Sequence, residues 1–343
     1  MNHSVAWDEG CFHASSIRQY LTCPRQYYFR HVLGMKTEDV ALASITGSAY
    51  HHCISWWHRA RDTDGLDVPD TDALVEEFSG ECMRRVRVCM ESGKEVNGYS
   101  PEALADVVWT TMGEAKVLVE ARLILGGYVT DPRNDLTLLC NERRFRVNVG
   151  SKKRPYPFAG TVDQVRMRHD GTYDLVDLKS GKMKPNDILL ALDYQLSVYA
   201  LAMAKGEWEA HSDTETTWEV IGQRADTIAI CHLRDYLPKQ KNEFSEEIVI
   251  KGEKEINPAT GRERQKRIPN PKFAEGYKKG DIGPVFYRTQ RSAYELIQAD
   301  KDLARVCAAI KFKMFFRRPV AQGACVGFCR FVGECSTERS DPL

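Results

Sequence analysis

Two acids and a lysine at short, fixed separations constrain this chain more than any other feature. Gly160-Thr161-Val162-Asp163 is followed, fourteen residues after Asp163, by Asp177-Leu178-Lys179. Each acid stands at the end of a short apolar run. Those runs predict strands over 158–168 and 173–179, joined by the turn His169-Asp170-Gly171. Residues two apart in a strand share a face, so Asp177 and Lys179 point one way and Leu178 the other. The pattern asks for a sheet whose neighbouring strands deliver both carboxylates to one place. Apolar residues make up 43% of the 343, enough to bury the core behind such a sheet.

Periodicity changes on both sides of these strands. Residues 15–33 have helical spacing through Ile17, Tyr20, Leu21 and Tyr28, with Ser15 or Ser16 as cap. Pro24 interrupts that pattern or starts a second helix. Residues 45–60 place Ile45, Ala49, His52 and Trp56 near one stripe. Residues 71–92 and 101–126 are longer helical patterns, the second opened by Ser100-Pro101-Glu102. Over 137–149, Phe145, Val147 and Val149 alternate with Arg144, Arg146 and Asn148, which predicts a strand. Residues 187–205 return to helical spacing, 226–233 are a β-branched strand pattern, and 288–314 read as a last helix. The expected class is α/β of the α+β kind. It divides into a helical region over 1–135, a core over 136–237, a polar and basic insertion over 238–285, and a helix with a cysteine-rich tail over 286–343.

Two carboxylates with a lysine suit phosphodiester hydrolysis. That reaction needs an activated water and a stabilised leaving oxygen, and one or two Mg²⁺ or Mn²⁺ ions supply both. Such hard ions take oxygen ligands. Asp163 and Asp177 offer carboxylates, and the Leu178 carbonyl is a further ligand. Lys179 can hold the attacking water or steady the developing charge. Glu142, on the strand before Asp163, reads as a surface residue rather than a further acid of the site.

The order Gly160-Thr161-Val162-Asp163, Leu175-Val176-Asp177-Leu178-Lys179-Ser180-Gly181 and Gln195-Leu196-Ser197-Val198-Tyr199 resembles the PD-(D/E)xK nuclease superfamily. Within it the chain looks like the RecB-type exonuclease branch, which includes the RecB-like CRISPR-associated exonucleases. Leu21-Thr22-Cys23-Pro24-Arg25-Gln26-Tyr27-Tyr28 is similar to that branch's opening motif, and Gly47-Ser48-Ala49-Tyr50-His51 to its Gly-x-x-x-His motif. The resemblance implies a restriction-endonuclease-like core, a mixed central sheet flanked by helices. It implies His51, Asp163 and Asp177 as metal ligands and Lys179 as the catalytic lysine. It also implies that Gln195 and Tyr199, on one helical face, contact DNA or brace the lysine. Only the spacing from Gly47 selects His51 over the adjacent His52.

Cys325-x₃-Cys329-x₅-Cys335 closes the chain with three cysteines in eleven residues. In iron–sulfur members of the branch the fourth ligand is the cysteine of the Cys-Pro motif, here Cys23. The resemblance thus implies a [4Fe–4S] cluster stapling the two ends of the chain, with zinc as the alternative. The branch has two residues between the first two cysteines of the tail, and this chain has three. Cys11, Cys53, Cys82, Cys89, Cys140, Cys231 and Cys307 are scattered singly and read as small buried hydrophobes.

Lys plus Arg equals Asp plus Glu, 48 each, so DNA contact must come from a local basic track rather than net charge. Arg262, Arg264, Lys266 and Arg267 are the candidate, on a loop or hairpin that is either solvated or DNA-contacting. Tyr27, Tyr28, Trp56 and Trp57 are candidate base-stacking residues, at least half of them core. No Walker motif, signal peptide or membrane span is visible, so a cytoplasmic enzyme without its own motor is expected. The leading expectation is an exonuclease on single-stranded or end-frayed DNA. A structure-specific endonuclease, or a nuclease-like subunit of a recombination or CRISPR-adaptation complex, shares the same motifs. Oligomeric state is open.

Overall fold

The computed structural model describes residues 10–35, 39–40, 42–63, 66–92, 95–96, 113–211, 216–237, 247–256, 263–269, 285–316, 329, 331 and 335. The helices are α1 (Ala14–Thr22), α2 (Pro24–Tyr27), α3 (Leu42–Asp62), α4 (Thr71–Glu91), α5 (Gly113–Thr130), α6 (Asp187–Leu192), α7 (Tyr194–Lys205) and α8 (Ala293–Lys311). Strands β1 (Asp39–Val40) and β2 (Glu95–Val96) form a two-residue parallel pair. The central sheet is built from β3 (Thr137–Ser151), β4 (Arg154–Met167), β5 (Tyr173–Lys179), β6 (Glu207–His211), β7 (Thr216–Val220) and β8 (Thr227–His232). A last strand, β11 (Phe286–Thr289), completes it, while β9 (Glu247–Ile256) and β10 (Glu263–Pro269) pair as a separate hairpin. The sheet order is β11-β8-β5-β4-β3-β6-β7. Its neighbours are antiparallel except β5 and β8, which run parallel. This is the mixed sheet flanked by helices that the motifs imply.

Two apolar layers explain why these strands sit in the middle. On β5, Leu175 joins a core with α1, α7 and α8, while Val176 and Leu178 join a second core with α3, α4 and α5. On β8, Ile228 and Ile230 enter the first core, Ala229 and Cys231 the second. Strands covered on both faces read as continuous apolar runs. On β3, buried Phe145, Val147 and Val149 follow the alternation in the sequence.

Several elements depart from the sequence expectations. The pattern over 187–205 is two helices, because Asp193 caps α7 by accepting from the Gln195 (2.7 Å) and Leu196 (3.4 Å) amides. The expected helix over 288–314 begins at Ala293. Ser292 and Glu295 form a capping box there, and Phe286–Thr289 pair with β8 instead. Strands β6 and β7 were not expected. Residues 101–112 of the second long helical pattern lie outside the described residues. Pro24 does start a second helix. Of the scattered cysteines, Cys53, Cys82, Cys89, Cys140, Cys231 and Cys307 are buried and Cys11 is half-buried.

A polar set is sealed between α3, α5 and β4. Tyr128 Oη lies 2.8 Å from His58 Nε2, and accepts from Gln164 Nε2 (2.9 Å) and Arg166 Nη2 (3.1 Å). Burial, with Arg166 and Arg61 nearby, pushes the His58 pKa down to about 2. The folded protein thus refuses a proton that the unfolded chain accepts near the usual 6.5. Stability is therefore lost as pH falls below that value, by about 1.4 kcal/mol per pH unit. His58→Gln keeps a polar partner for Tyr128 and removes the titration. Its loss of unfolding free energy between pH 6.5 and 5, from urea melts, is expected to be about 2 kcal/mol smaller than the wild type's. Equal losses would contradict the assignment.

Candidate active site

Two glycines let the elements of the site meet. A Cβ at Gly160 would lie 2.9 Å from the Phe145 ring, so only glycine lets β3 and β4 close at that point, three residues before Asp163. A Cβ at Gly47 would lie 2.9 Å from Ser180 Oγ. Glycine there lets α3 approach the end of β5, and His51, four residues on, falls on the same helix face.

His51 is the centre of the group. Its Nδ1 donates to Glu142 Oε1 (2.9 Å) and lies 3.6 Å from Asp163 Oδ1. Its Nε2 faces the Leu178 carbonyl at 3.1 Å. With both nitrogens facing acceptors the ring takes a second proton while no metal is bound, and a cation held by His51 would displace one of the two. Burial opposes that charge, but Asp163, the Glu142 hydrogen bond and Asp177 outweigh it and raise the pKa to about 9. Asp163 is buried, and its Oδ2 accepts from the Leu178 amide at 2.6 Å. Burial, and the charges of Asp177 and Glu142, push its carboxyl above the usual range, with His51 and Lys179 opposing.

Asp177 is 1% exposed. Its Oδ1 accepts from Lys179 Nζ and from Gln195 Nε2, both at 3.0 Å. Its Oδ2 is buried with no hydrogen bond, although the Lys179 ammonium stands 2.8 Å away. Burial weighs against the Lys179 charge, but Asp177 and Asp163 overcome it and raise the pKa. Gln195 Nε2 also reaches Tyr199 Oη at 2.8 Å. Tyr199 packs edge-on to Phe145 at 5.8 Å and is 7% exposed. On the helix face expected to contact DNA or brace the lysine, Gln195 reaches Asp177, which is also the ion-pair partner of Lys179, and Tyr199 is buried.

The structure thus brings together His51, Asp163, Asp177, Leu178, Lys179, Gln195 and Tyr199. It separates His51 from its neighbour, since His52 Nε2 lies 2.8 Å from Glu77 of α4. It also adds Glu142, which the sequence placed on the surface. The pairs Asn141–Gln164 and Arg143–Val162 set Glu142 opposite Asp163, a relation visible only once the register is known. Its φ of 51° is left-handed, strain of roughly 1–3 kcal/mol of the kind that gathers at functional sites. His51, Glu142 and Asp163 each offer a ligand atom within 4.8 Å of the others. These carboxylate oxygens and one imidazole, with the Asp177–Lys179 pair beside them, fit a hard divalent cation.

Arg262 lies outside the described residues. Arg264 and Arg267 are on β10, and Lys266 pairs with Glu253 across the hairpin at 2.8 Å. Tyr27 and Trp57 are buried, while Arg25 lies over the Tyr28 ring at 4.8 Å. Cys325 lies outside the described residues. Cys23, Cys329 and Cys335 are half-buried thiols. Contacts join the two ends of the chain: Phe29 to Phe331 (5.6 Å), Tyr27 to Phe315 (6.1 Å), and Tyr20 Oη donating to the Met314 carbonyl (2.7 Å).

The family model of the PD-(D/E)XK nuclease superfamily matches residues 12–336. No curated protein matches the sequence. A solved structure described as the crystal structure of SSO0001 aligns with 94% of this chain and 93% of that one. The identity is 10% and the TM-score 0.29.

Proposed function

The chain belongs to the PD-(D/E)XK nuclease superfamily, and we propose that it is a RecB-like, Mg²⁺- or Mn²⁺-dependent exonuclease on single-stranded or end-frayed DNA. The observation that carries this reading is the convergence of His51, Glu142 and Asp163 with the Asp177–Lys179 pair beside them. His51, Asp163, Asp177 and the Leu178 carbonyl would hold the cation, with Glu142 as a further ligand. Bound there, a divalent cation supplies Lewis-acid stabilisation of charge building on the phosphate. Lys179 keeps its proton at Nζ, because its pKa is raised, so it orients the attacking water and steadies negative charge without acting as a base. Gln195 fixes Asp177 Oδ1 and Tyr199 fixes Gln195, while Asp177 Oδ2 holds the Lys179 ammonium at 2.8 Å.

Degradation of end-labelled linear single-stranded DNA beside closed circular DNA, in Mg²⁺ or Mn²⁺, tests the reading. Linear-only degradation supports an exonuclease. Cutting of the circle would make the enzyme an endonuclease of the same superfamily. This reading places the enzyme in the cytoplasm, acting alone or beside a motor in a recombination or CRISPR-adaptation complex.

Cys23, Cys325, Cys329 and Cys335 complete the proposal as ligands of a [4Fe–4S] cluster. The half-buried positions of Cys23, Cys329 and Cys335 and the aromatic contacts between the two ends of the chain support it. A cluster there would tie the ends beside the core. Cys329→Ser is expected to lower both iron content and melting temperature. A variant with normal iron and normal melting would sink the staple, and zinc in place of iron would change its occupant.

A further inference from the structure

The chain leaves the active centre at Lys179 and returns to it at Gln195, and the segment between exposes large apolar side chains. Met183 is 81% exposed, Ile188 73% and Leu192 71%. Ile188 and Leu192 are four apart on α6 and share a face. Leu192 stands three residues before Gln195, whose amide touches Asp177, and Met183 stands four residues after Lys179. Lys182 and Lys184 flank Met183 and are also exposed.

This segment is tied down. His232 Nε2 lies 2.7 Å from the Gly181 carbonyl. Asp235 pairs with Lys184, meets His232 Nδ1 at 2.9 Å and accepts from Tyr287 Oη at 2.6 Å. Further on, Leu190 is buried and its carbonyl accepts from the buried Arg291 Nη2 at 2.6 Å. Lys182 and Met183 are therefore presented between two anchors, Gly181 and Lys184. Apolar side chains held outward forgo burial, and their position beside a phosphodiesterase centre indicates what covers them.

The geometry points to an apolar lip of Met183, Ile188 and Leu192 that packs against the unstacked bases of the DNA strand next to the scissile phosphate. This rests on the nuclease reading and deepens it to a substrate form. Base faces are apolar and hidden in a duplex, but open in a single strand or frayed end, and Met, Ile and Leu are side chains that wedge against them. Lys182, exposed and outside the Lys184–Asp235 pair, supplies the positive rim that a flanking phosphate requires. An apolar partner protein would match the three side chains but not that rim, nor its continuity with the catalytic strand.

The test uses the full-length protein and two fluorescent strands of equal length, oligothymidylate and a fully abasic strand, with binding read by anisotropy in EDTA. Wild type is expected to bind the base-bearing strand at least about fivefold more tightly. The Met183→Ala/Ile188→Ala/Leu192→Ala variant is expected to bind both strands alike, with its affinity for the abasic strand unchanged. In Mn²⁺ it should cut the abasic strand at the wild-type rate. Should the triple variant melt early, Met183→Ala alone carries the test. A wild type without base preference overturns the lip. A variant that keeps the preference also overturns it and leaves the patch to a protein partner. Base preference in EDTA with no cleavage of either strand in Mn²⁺ would support the lip and count against the nuclease chemistry instead.

Discussion

Lys179→Ala is expected to lower DNA cleavage at least about a hundredfold, as losing one aimed electrostatic contact does, while leaving Mn²⁺ affinity unchanged or tighter. The two halves of this result have one cause. The Lys179 ammonium stands against both Asp177 oxygens, at 3.0 and 2.8 Å. A cation entering the site meets that positive charge, so removing it cannot weaken binding through electrostatics. The reaction loses the charge that orients the water and steadies the phosphate. Asp177 stays in place because Gln195 still donates to Oδ1. A lysine that merely propped up the fold would lower cleavage and metal affinity together. Cleavage kinetics beside calorimetric Mn²⁺ titration separates the cases. A variant within about threefold of wild type, well short of the expected loss, or one that no longer binds Mn²⁺, would remove Lys179 from this role.

What the sequence discloses and what it hides divide along physical lines. Strands β5 and β8 were legible because their apolar residues meet two helical layers, and β3 because its apolar residues alternate over one, so each pattern follows directly from burial. The Asp163, Asp177 and Lys179 arrangement was legible because strand periodicity alone sets which side chains share a face. β6 was not, because an acid sits where an apolar residue is expected. Glu209 is buried and paired with Arg144, a partner 65 residues away. β11 was masked by the helical pattern that follows it and exists through its pairing with β8. Glu142 was hidden for a third reason. Its role depends on standing opposite Asp163 and on an unusual φ, and neither is a property of local sequence. The loop after Lys179 likewise looks like an ordinary polar turn until His232 and Asp235 are seen to hold it.

Asp163→Asn should show that this site costs stability in order to bind metal. At neutral pH and without metal, Asp163 shares a covered pocket with Asp177 and Glu142, and burial with those charges raises its pKa above the unfolded value. A carboxylate whose folded pKa is raised destabilises the protein above that pKa. The penalty fades as pH falls through the folded value toward the unfolded one, where both states are protonated. Asparagine removes the charge and keeps an oxygen for the Leu178 amide, which Asp163 Oδ2 now accepts at 2.6 Å. In EDTA at pH 7.5 the variant is therefore expected to melt at or above the wild type, and the advantage should vanish by pH 4. With Mn²⁺ at a hundred times its dissociation constant, the wild type gains about 2.7 kcal/mol by mass action. The variant, short of a ligand, gains none and loses at least as much cleavage as Lys179→Ala. Thermal melts in EDTA and in Mn²⁺ at both pH values decide it. A variant that melts below wild type in EDTA at pH 7.5 would show the Asp163 charge to be a structural contact. A full Mn²⁺ shift in the variant would place the cation elsewhere.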